Sequence, residues 1–225
     1  MFPAQVSAIL ERLEQAGFAA YAVGGCVRDT LLGRVPQDWD VATSARPEQT
    51  AALFAGRSIP TGLQHGTVTV RQEGLSVEVT TFRADGPYSD HRRPDAVYFS
   101  DSLAEDLCRR DLTVNAMAMD RRGVLTDLHG GREDLRRGLL RCVGEPDRRF
   151  DEDALRIMRT LRFASVLGFT VEERTAAALH RRAPLLGSIA AERLLSEMDR
   201  LLCGRYVLAV LLAYPDVLGL SLIHI

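Results

Sequence analysis

Residues 21–40 read YAVGGCVRDTLLGRVPQDWD. A short apolar segment, Tyr21-Ala22-Val23, runs into Gly24-Gly25. Val27-Arg28-Asp29 and Thr30-Leu31-Leu32 follow with helical character, Gly33 breaks them, and a polar turn with Pro36 leads to Asp38-Trp39-Asp40. The pattern predicts strand, glycine turn, short helix and second strand. Adjacent glycines let a backbone approach a ligand closely and turn N–H groups towards an anion. The helix start adds the positive end of its dipole and Arg28 adds a full charge, so Gly24, Gly25 and Arg28 compose a phosphate cradle. At i, i+2 on a strand, Asp38 and Asp40 place both carboxylates on one face. Two such groups side by side favour a cation between them, and hard oxygen donors suit Mg²⁺ together with substrate phosphates. Taken singly, a Gly-Gly pair is usually just a tight turn, and an Asp-x-Asp pair is more often a solvated turn or cap than a metal site. Together and in this order they read as triphosphate plus metal, the chemistry of nucleotidyl transfer.

The same stretch resembles the first signature of the nucleotidyltransferase superfamily that includes DNA polymerase β. Its GG-x-VRD-x-LLG…D-x-D pattern is similar to that of the bacterial tRNA nucleotidyltransferase (class II) and poly(A) polymerase family, and every element of that pattern is present. The resemblance implies an α/β, polymerase β-like head with a mixed sheet, followed by an all-α neck. It also implies Asp38 and Asp40 as catalytic ligands of two Mg²⁺, with Gly24, Gly25 and Arg28 on the triphosphate.

Working outward, residues 4–17 carry Val6, Ile9, Leu10 and Leu13 at helical spacing and stop at Gly17. Pro47 opens a further helix, with Ser44 a candidate cap. GTVTVR (66–71) and LSVEVTTF (75–82) alternate as strands and form a hairpin around Glu73-Gly74. A charge inside such a strand is commonly solvent-facing, which leaves Glu78 open on pattern alone. The resemblance makes Glu78, before Thr80-Thr81-Phe82-Arg83, a third catalytic carboxylate. RADGPYSDHRRPD (83–95) is polar and rich in turn residues, and it reads as a mobile surface loop. In CCA-adding relatives a loop at this place takes part in the switch to ATP; CC-adding relatives have it shortened. Residues 105–120, EDLCRRDLTVNAMAMD, put Arg109-Arg110-Asp111 before an apolar, helix-like run. Asp111 there is either an N-cap or, by resemblance to the family's second signature, a ribose acceptor beside the donor Arg110.

Residues 150–167, FDEDALRIMRTLRFASVL, read as one helix. Ala154, Ile157, Met158, Leu161 and Ser165 form an apolar stripe, Arg156 and Arg159 point the other way, and Asp153 and Arg162 flank them. Phe163 and Leu167 share the arginine side, so burial on both faces is expected. By pattern alone this is a helix with i, i+3 Asp–Arg pairs. The run R-x-V-G-x-P-x-x-RF-x-ED-x-L-R-x-x-R, from Arg141 to Arg159, matches the family. There the helix serves as an amino-acid template for the incoming base. Cytosine and adenine each offer an amine donor beside a ring-nitrogen acceptor, which an Asp and an Arg complement; guanine and uracil reverse the pattern. The resemblance thus implies Asp153 and Arg156 as the base-reading pair, organised by Arg159 and Arg162.

The 225 residues are 46% hydrophobic and 26% charged, with net charge -2, which is ordinary globular material for one large or two small domains. All 28 basic residues are Arg, a composition that suits phosphate and base edges and that high-GC coding also produces. Cys26, Cys108, Cys142 and Cys203 have neither zinc-ligand nor disulfide-framework spacing and fit a reducing, cytoplasmic setting. The apolar C-terminal run is interrupted by Pro215-Asp216 and is too short to span a membrane. The expected organisation is a catalytic head at 1–146, a helical neck at 147–219, and a non-native tail at 220–225 (LSLIHI), which does not resemble the family. The function implied is addition of CMP and AMP from CTP and ATP to the 3′ end of tRNA. Alternatives are a poly(A) polymerase, an A-adding or CC-adding relative, or a non-catalytic RNA- or nucleotide-binding module.

Overall fold

The computed structural model describes residues 2–62, 66–86 and 96–224. The predicted loop at 83–95 therefore lies mostly outside the described residues. The chain forms two compact units. The first comprises Met1–Asp85, Val97–Arg110 and Val114–Arg132; the second comprises Gly86–Ala96, Asp111–Thr113 and Glu133–Ile225.

In the first unit, α1 (Ala4–Gln15) buries Val6, Ile9, Leu10 and Leu13 completely, as their spacing requires. Then come β1 (Ala20–Val23), α2 (Gly25–Leu31), β2 (Trp39–Thr43), α3 (Pro47–Leu53), β3 (Ser58–Gly62), β4 (Thr67–Gln72) and β5 (Leu75–Thr81). β6 (Arg83–Asp85) and β7 (Val97–Phe99) pair with each other, and α4 (Leu103–Cys108), β8 (Met117–Met119) and β9 (Leu125–Asp127) follow. The main sheet is mixed and runs β3-β4-β5-β2-β1-β8-β9, with β2 and β5 parallel and the other neighbours antiparallel. β4 and β5 form the expected hairpin, turning on Glu73 and Gly74, both at positive φ (48° and 84°) as a tight two-residue turn demands.

Alternation along the central strands decides where the site can lie. Trp39, Val41 and Thr43 on β2, with Val77, Val79 and Thr81 on β5, are buried on one face. On the other face Ala42 packs with Val23, Ala118, Phe82 and Leu107, while the preceding positions on that face carry Asp40 and Glu78. Apolar packing thus covers one end of this face and leaves carboxylates at the other.

Two local expectations are corrected here. Ser44 does not cap α3: the N-cap is Arg46, and the Ser44 hydroxyl accepts from the Ala19 N–H instead. The apolar run after Asp111 is not a helix but a single 3₁₀ turn (Thr113–Asn115) and β8. That run is buried on every side, and such a segment carries no periodicity to separate helix from strand.

The helical unit begins within α5 (Gly131–Arg137). β10 (Leu139–Leu140), α6 (Pro146–Glu152), α7 (Leu155–Leu167), β11 (Thr170–Val171), α8 (Glu173–Arg182), α9 (Ala191–Leu202), α10 (Val207–Ala213) and α11 (Pro215–His224) follow. Beyond residue 146 the described chain is helical save for two-residue β11, which pairs parallel to β10. α7 is the central helix, packed by α6, α9 and α10, and Phe163 and Leu167 are buried as expected. The predicted continuous helix over 150–167 is in fact two. Asp153 takes extended backbone angles (φ −142°, ψ 103°), and its carboxylate accepts from the Leu155 N–H at 3.2 Å. A side chain that competes for backbone donors ends one helix and starts the next. No helix among the described residues is long and apolar enough to cross a membrane.

Candidate active site

Glycine makes the first half of the site possible. Gly24 sits at φ 77°, ψ −132°, between β1 and α2, a conformation an L side chain rarely adopts. A Cβ there would lie 3.0 Å from Arg110 Nη1 and 4.0 Å from Asp40 Oδ2. The bare backbone therefore lies directly against a cation and a carboxylate. Gly25 follows, and a Cβ there would stand 3.6 Å from Arg28 Nη2. Arg28 is not a solitary charge: its Nε and Nη2 donate to the two Asp29 oxygens, each at 2.9 Å, and its Nη1 to Asn115 Oδ1 at 2.7 Å. Arg28 is 8% exposed, and this fork holds it rigidly.

Asp40 and Glu78 are directly opposed in the parallel β2–β5 register. Asp38 stands in the bend one residue before β2, so the pair is not set out along one strand as the i, i+2 spacing suggested. Burial pushes the Asp40 carboxyl up to about 6, with Glu78 and then Asp38 adding to the rise and Arg110 opposing it. Arg110 is itself set by buried Asp106, whose Oδ2 accepts from Arg110 Nη2 at 2.9 Å and whose Oδ1 accepts from Arg109 at 2.8 and 3.0 Å. Burial raises the Asp106 carboxyl, but the two guanidiniums outweigh it and hold the group below its ordinary value. Arg110 Nε is buried without a hydrogen-bond partner among the described residues.

An ionised Asp40 is thus poorly balanced, a glycine keeps space open against it, and a buried donor stands unused nearby. These features fit an anionic ligand together with a hard divalent cation. Among the described residues no three His, Cys, Asp or Glu side chains converge closely enough to enclose an ion. Cys26 and Cys142 are poor thiolate nucleophiles: burial pushes them to about 11 and about 12.

The remaining predicted residues lie in the helical unit. Asp153 is the link between α6 and α7; besides capping Leu155 it lies 3.5 Å from Arg193 Nη2. Its carboxyl is raised by burial, against the fields of Arg193, Arg156 and Arg159. Arg156, 8% exposed, donates from Nη1 to Glu152 at 2.8 Å and to the Arg149 carbonyl at 3.3 Å. The structure therefore brings Asp153 and Arg156 within electrostatic reach of each other. Arg162 pairs with Glu197 on α9 and stacks 4.0 Å over the Phe163 ring. Arg159 donates to Asp111 through Nε at 2.9 Å and Nη2 at 2.7 Å. Asp111 is no helix N-cap; its Oδ1 accepts from the Leu112 N–H at 2.8 Å.

Sequence reasoning missed Asn115, Asp106, Glu152, Arg193 and Glu197 as partners. Asp106 and Glu152 were open to discovery, standing three or four residues from the arginines they bind. Glu197 carries no such signal, because α7 and α9 meet only in the fold.

A model of the poly A polymerase head domain matches residues 20–141. The chain belongs to that family. A second model, described as a probable RNA and SrmB-binding site of polymerase A, matches residues 168–213. The family includes curated relatives such as the CCA-adding enzyme of Geobacillus kaustophilus, 51% identical over 94% of this chain and 52% of its own length. Among solved structures, the Bacillus stearothermophilus CCA-adding enzyme in complex with CTP superposes with TM-score 0.87 at 47% identity, over 94% of this chain and 51% of that one. A tRNA nucleotidyltransferase complexed with a primer tRNA and an incoming ATP analog superposes with TM-score 0.76 at 31% identity, over 95% and 61%. The chain spans about half the length of the curated relatives it matches.

Proposed function

We propose that the chain is the head and neck portion of a CCA-adding tRNA nucleotidyltransferase. In this reading, residues 1–146 are the catalytic head and 147–219 the neck. The substrates are CTP, ATP and the tRNA 3′ end, in the cytoplasm. The observation that carries the proposal is the grouping of Asp40, Glu78, Arg110 and Gly24. It combines a carboxylate lacking balance with a cradle a Cβ would fill.

In the reaction the primer 3′-hydroxyl attacks the nucleotide α-phosphate and pyrophosphate leaves. Asp38 and Asp40 would hold Mg²⁺, which when bound supplies positive charge to the hydroxyl being deprotonated and to the departing pyrophosphate. Gly24 and Gly25 let the backbone approach the triphosphate, and Arg28, braced by Asp29 and Asn115, lends charge without moving. Arg110 donates on the ribose side and Asp111 accepts there. Asp153 and Arg156 read the base, accepting from its amine and donating to its ring nitrogen. Glu78 tunes Asp40 electrostatically.

Incubating the chain with Mg²⁺, tRNA lacking its CCA end and one labelled triphosphate at a time tests the proposal. CMP should enter from CTP alone, AMP from labelled ATP only when unlabelled CTP is also present, and UMP and GMP barely at all. Long A tracts from ATP alone would point to the poly(A) polymerase alternative, and no incorporation from any triphosphate would remove catalysis by this portion.

A further inference from the structure

We infer that Arg159 is a positioning residue for Asp111, and that this ion pair sets discrimination between ribo- and 2′-deoxyribonucleotides. The inference rests on the ribose reading of Asp111 proposed above. Sequence pattern puts Arg159 with the base-reading pair, one turn beyond Arg156. The geometry ties it elsewhere. Both Nε and Nη2 of Arg159 converge on one oxygen, Asp111 Oδ2, at 2.9 and 2.7 Å. The other oxygen takes the Leu112 N–H at 2.8 Å, and the Asp111 carbonyl accepts from the Val143 N–H at 3.0 Å. Backbone and both carboxylate oxygens of this residue, only 8% exposed, are thereby fixed. Asp153 finds its near cation in Arg193 instead.

Arg159 is braced in turn. Its Nη1 lies 4.0 Å from Glu197 Oε1, and its guanidinium lies 5.8 Å from the Phe163 ring centroid. A carboxylate that accepts from a single hydroxyl discriminates only if it is held in place when the hydroxyl is missing. Otherwise it turns to another donor and the penalty for the deoxy sugar is lost. Arg159 supplies that restraint from α7, the helix whose N-terminal end follows the base-reading Asp153. One helix thus serves sugar choice and base choice through different arginines.

The test is calorimetric binding of CTP, dCTP and UTP to the full chain with Mg²⁺, for wild type, Asp111→Asn, Arg159→Gln, Arg159→Lys and the double variant Asp111→Asn/Arg159→Gln. Circular dichroism checks that each is folded, and Arg159→Lys, which keeps the charge, stands in if Arg159→Gln does not fold. Arg159→Gln should narrow the CTP/dCTP affinity ratio by about tenfold, the scale of one charged hydrogen bond, and leave the CTP/UTP ratio unchanged. Arg159→Lys should recover part of the ribose preference. The double variant should narrow the ratio no further than Asp111→Asn alone, because both changes remove one interaction. If Asp111→Asn collapses the CTP/dCTP ratio while Arg159→Gln leaves it intact, the positioning role is overturned and the ribose reading stands. If Arg159→Gln narrows CTP/UTP instead, Arg159 returns to the base pair. A wild type without any preference for CTP over dCTP removes the ribose reading and this inference with it.

Discussion

In the proposed function, Asp40 is the side chain on which the metal and phosphate chemistry turns. Its carboxyl is raised to about 6, first by burial and then by Glu78 across the β2–β5 register. Between the ordinary value of 3.8 and about 6, the folded protein keeps a proton that the unfolded chain has released. The folded state binds more protons there, so Asp40 makes stability fall as pH rises through that window. Above it, the cost of the ionised group is at most about 3 kcal/mol. In chelator, Asp40→Asn should therefore melt higher than wild type near neutral pH, and the gap should close towards pH 4. A pH-independent gap, or a more stable wild type at neutral pH, would contradict this account of the carboxylate. The same residue marks how much of the site was legible. Asp38, Asp40, Gly24 and Gly25 lie within one short stretch, so their nearness could be read directly. Glu78 could not be settled by pattern, because a strand does not announce its neighbour; only the parallel register brings it beside Asp40.

At the scale of elements, β4 and β5 were legible because alternation and a turn at Glu73-Gly74 leave little choice of register. The break between α6 and α7 was not. The apolar spacing from Ala154 to Ser165 continues as though unbroken; the extended backbone of Asp153 and the hydrogen bond from Leu155 N–H to its carboxylate reveal the interruption. Asp153 thus belongs to a linking residue between two helices and not to a helix face. α7 is held to α9 by Arg162–Glu197, with side chains 13% and 8% exposed. Glu197→Ala strands that guanidinium and should cost about 3 kcal/mol in urea unfolding. Breaking the surface pair Arg174–Glu145, 70% and 71% exposed, should cost less than about 1 kcal/mol. Equal effects of the two would mean that the buried pair does not clamp the helices.

At the scale of the whole molecule, the proposal divides labour among residues: Gly25, Arg28, Asp38 and Asp40 take phosphates and metal, while Asp153 and Arg156 take base identity. Phosphates are common to all four triphosphates, so residues that hold them carry no base information. The side chains that complement an amine and a ring nitrogen do. The measurement that tests this division most directly is kcat/KM for CTP and for UTP on tRNA lacking its CCA end, in Asp153→Ala and in Arg28→Ala. Asp153→Ala removes an attraction to C and a repulsion of U together, so CTP use should fall and a CTP/UTP ratio of up to about 10⁴ should collapse. Arg28→Ala should lower both substrates alike and preserve the ratio. An unchanged ratio in Asp153→Ala, or a collapsed one in Arg28→Ala, would contradict the account.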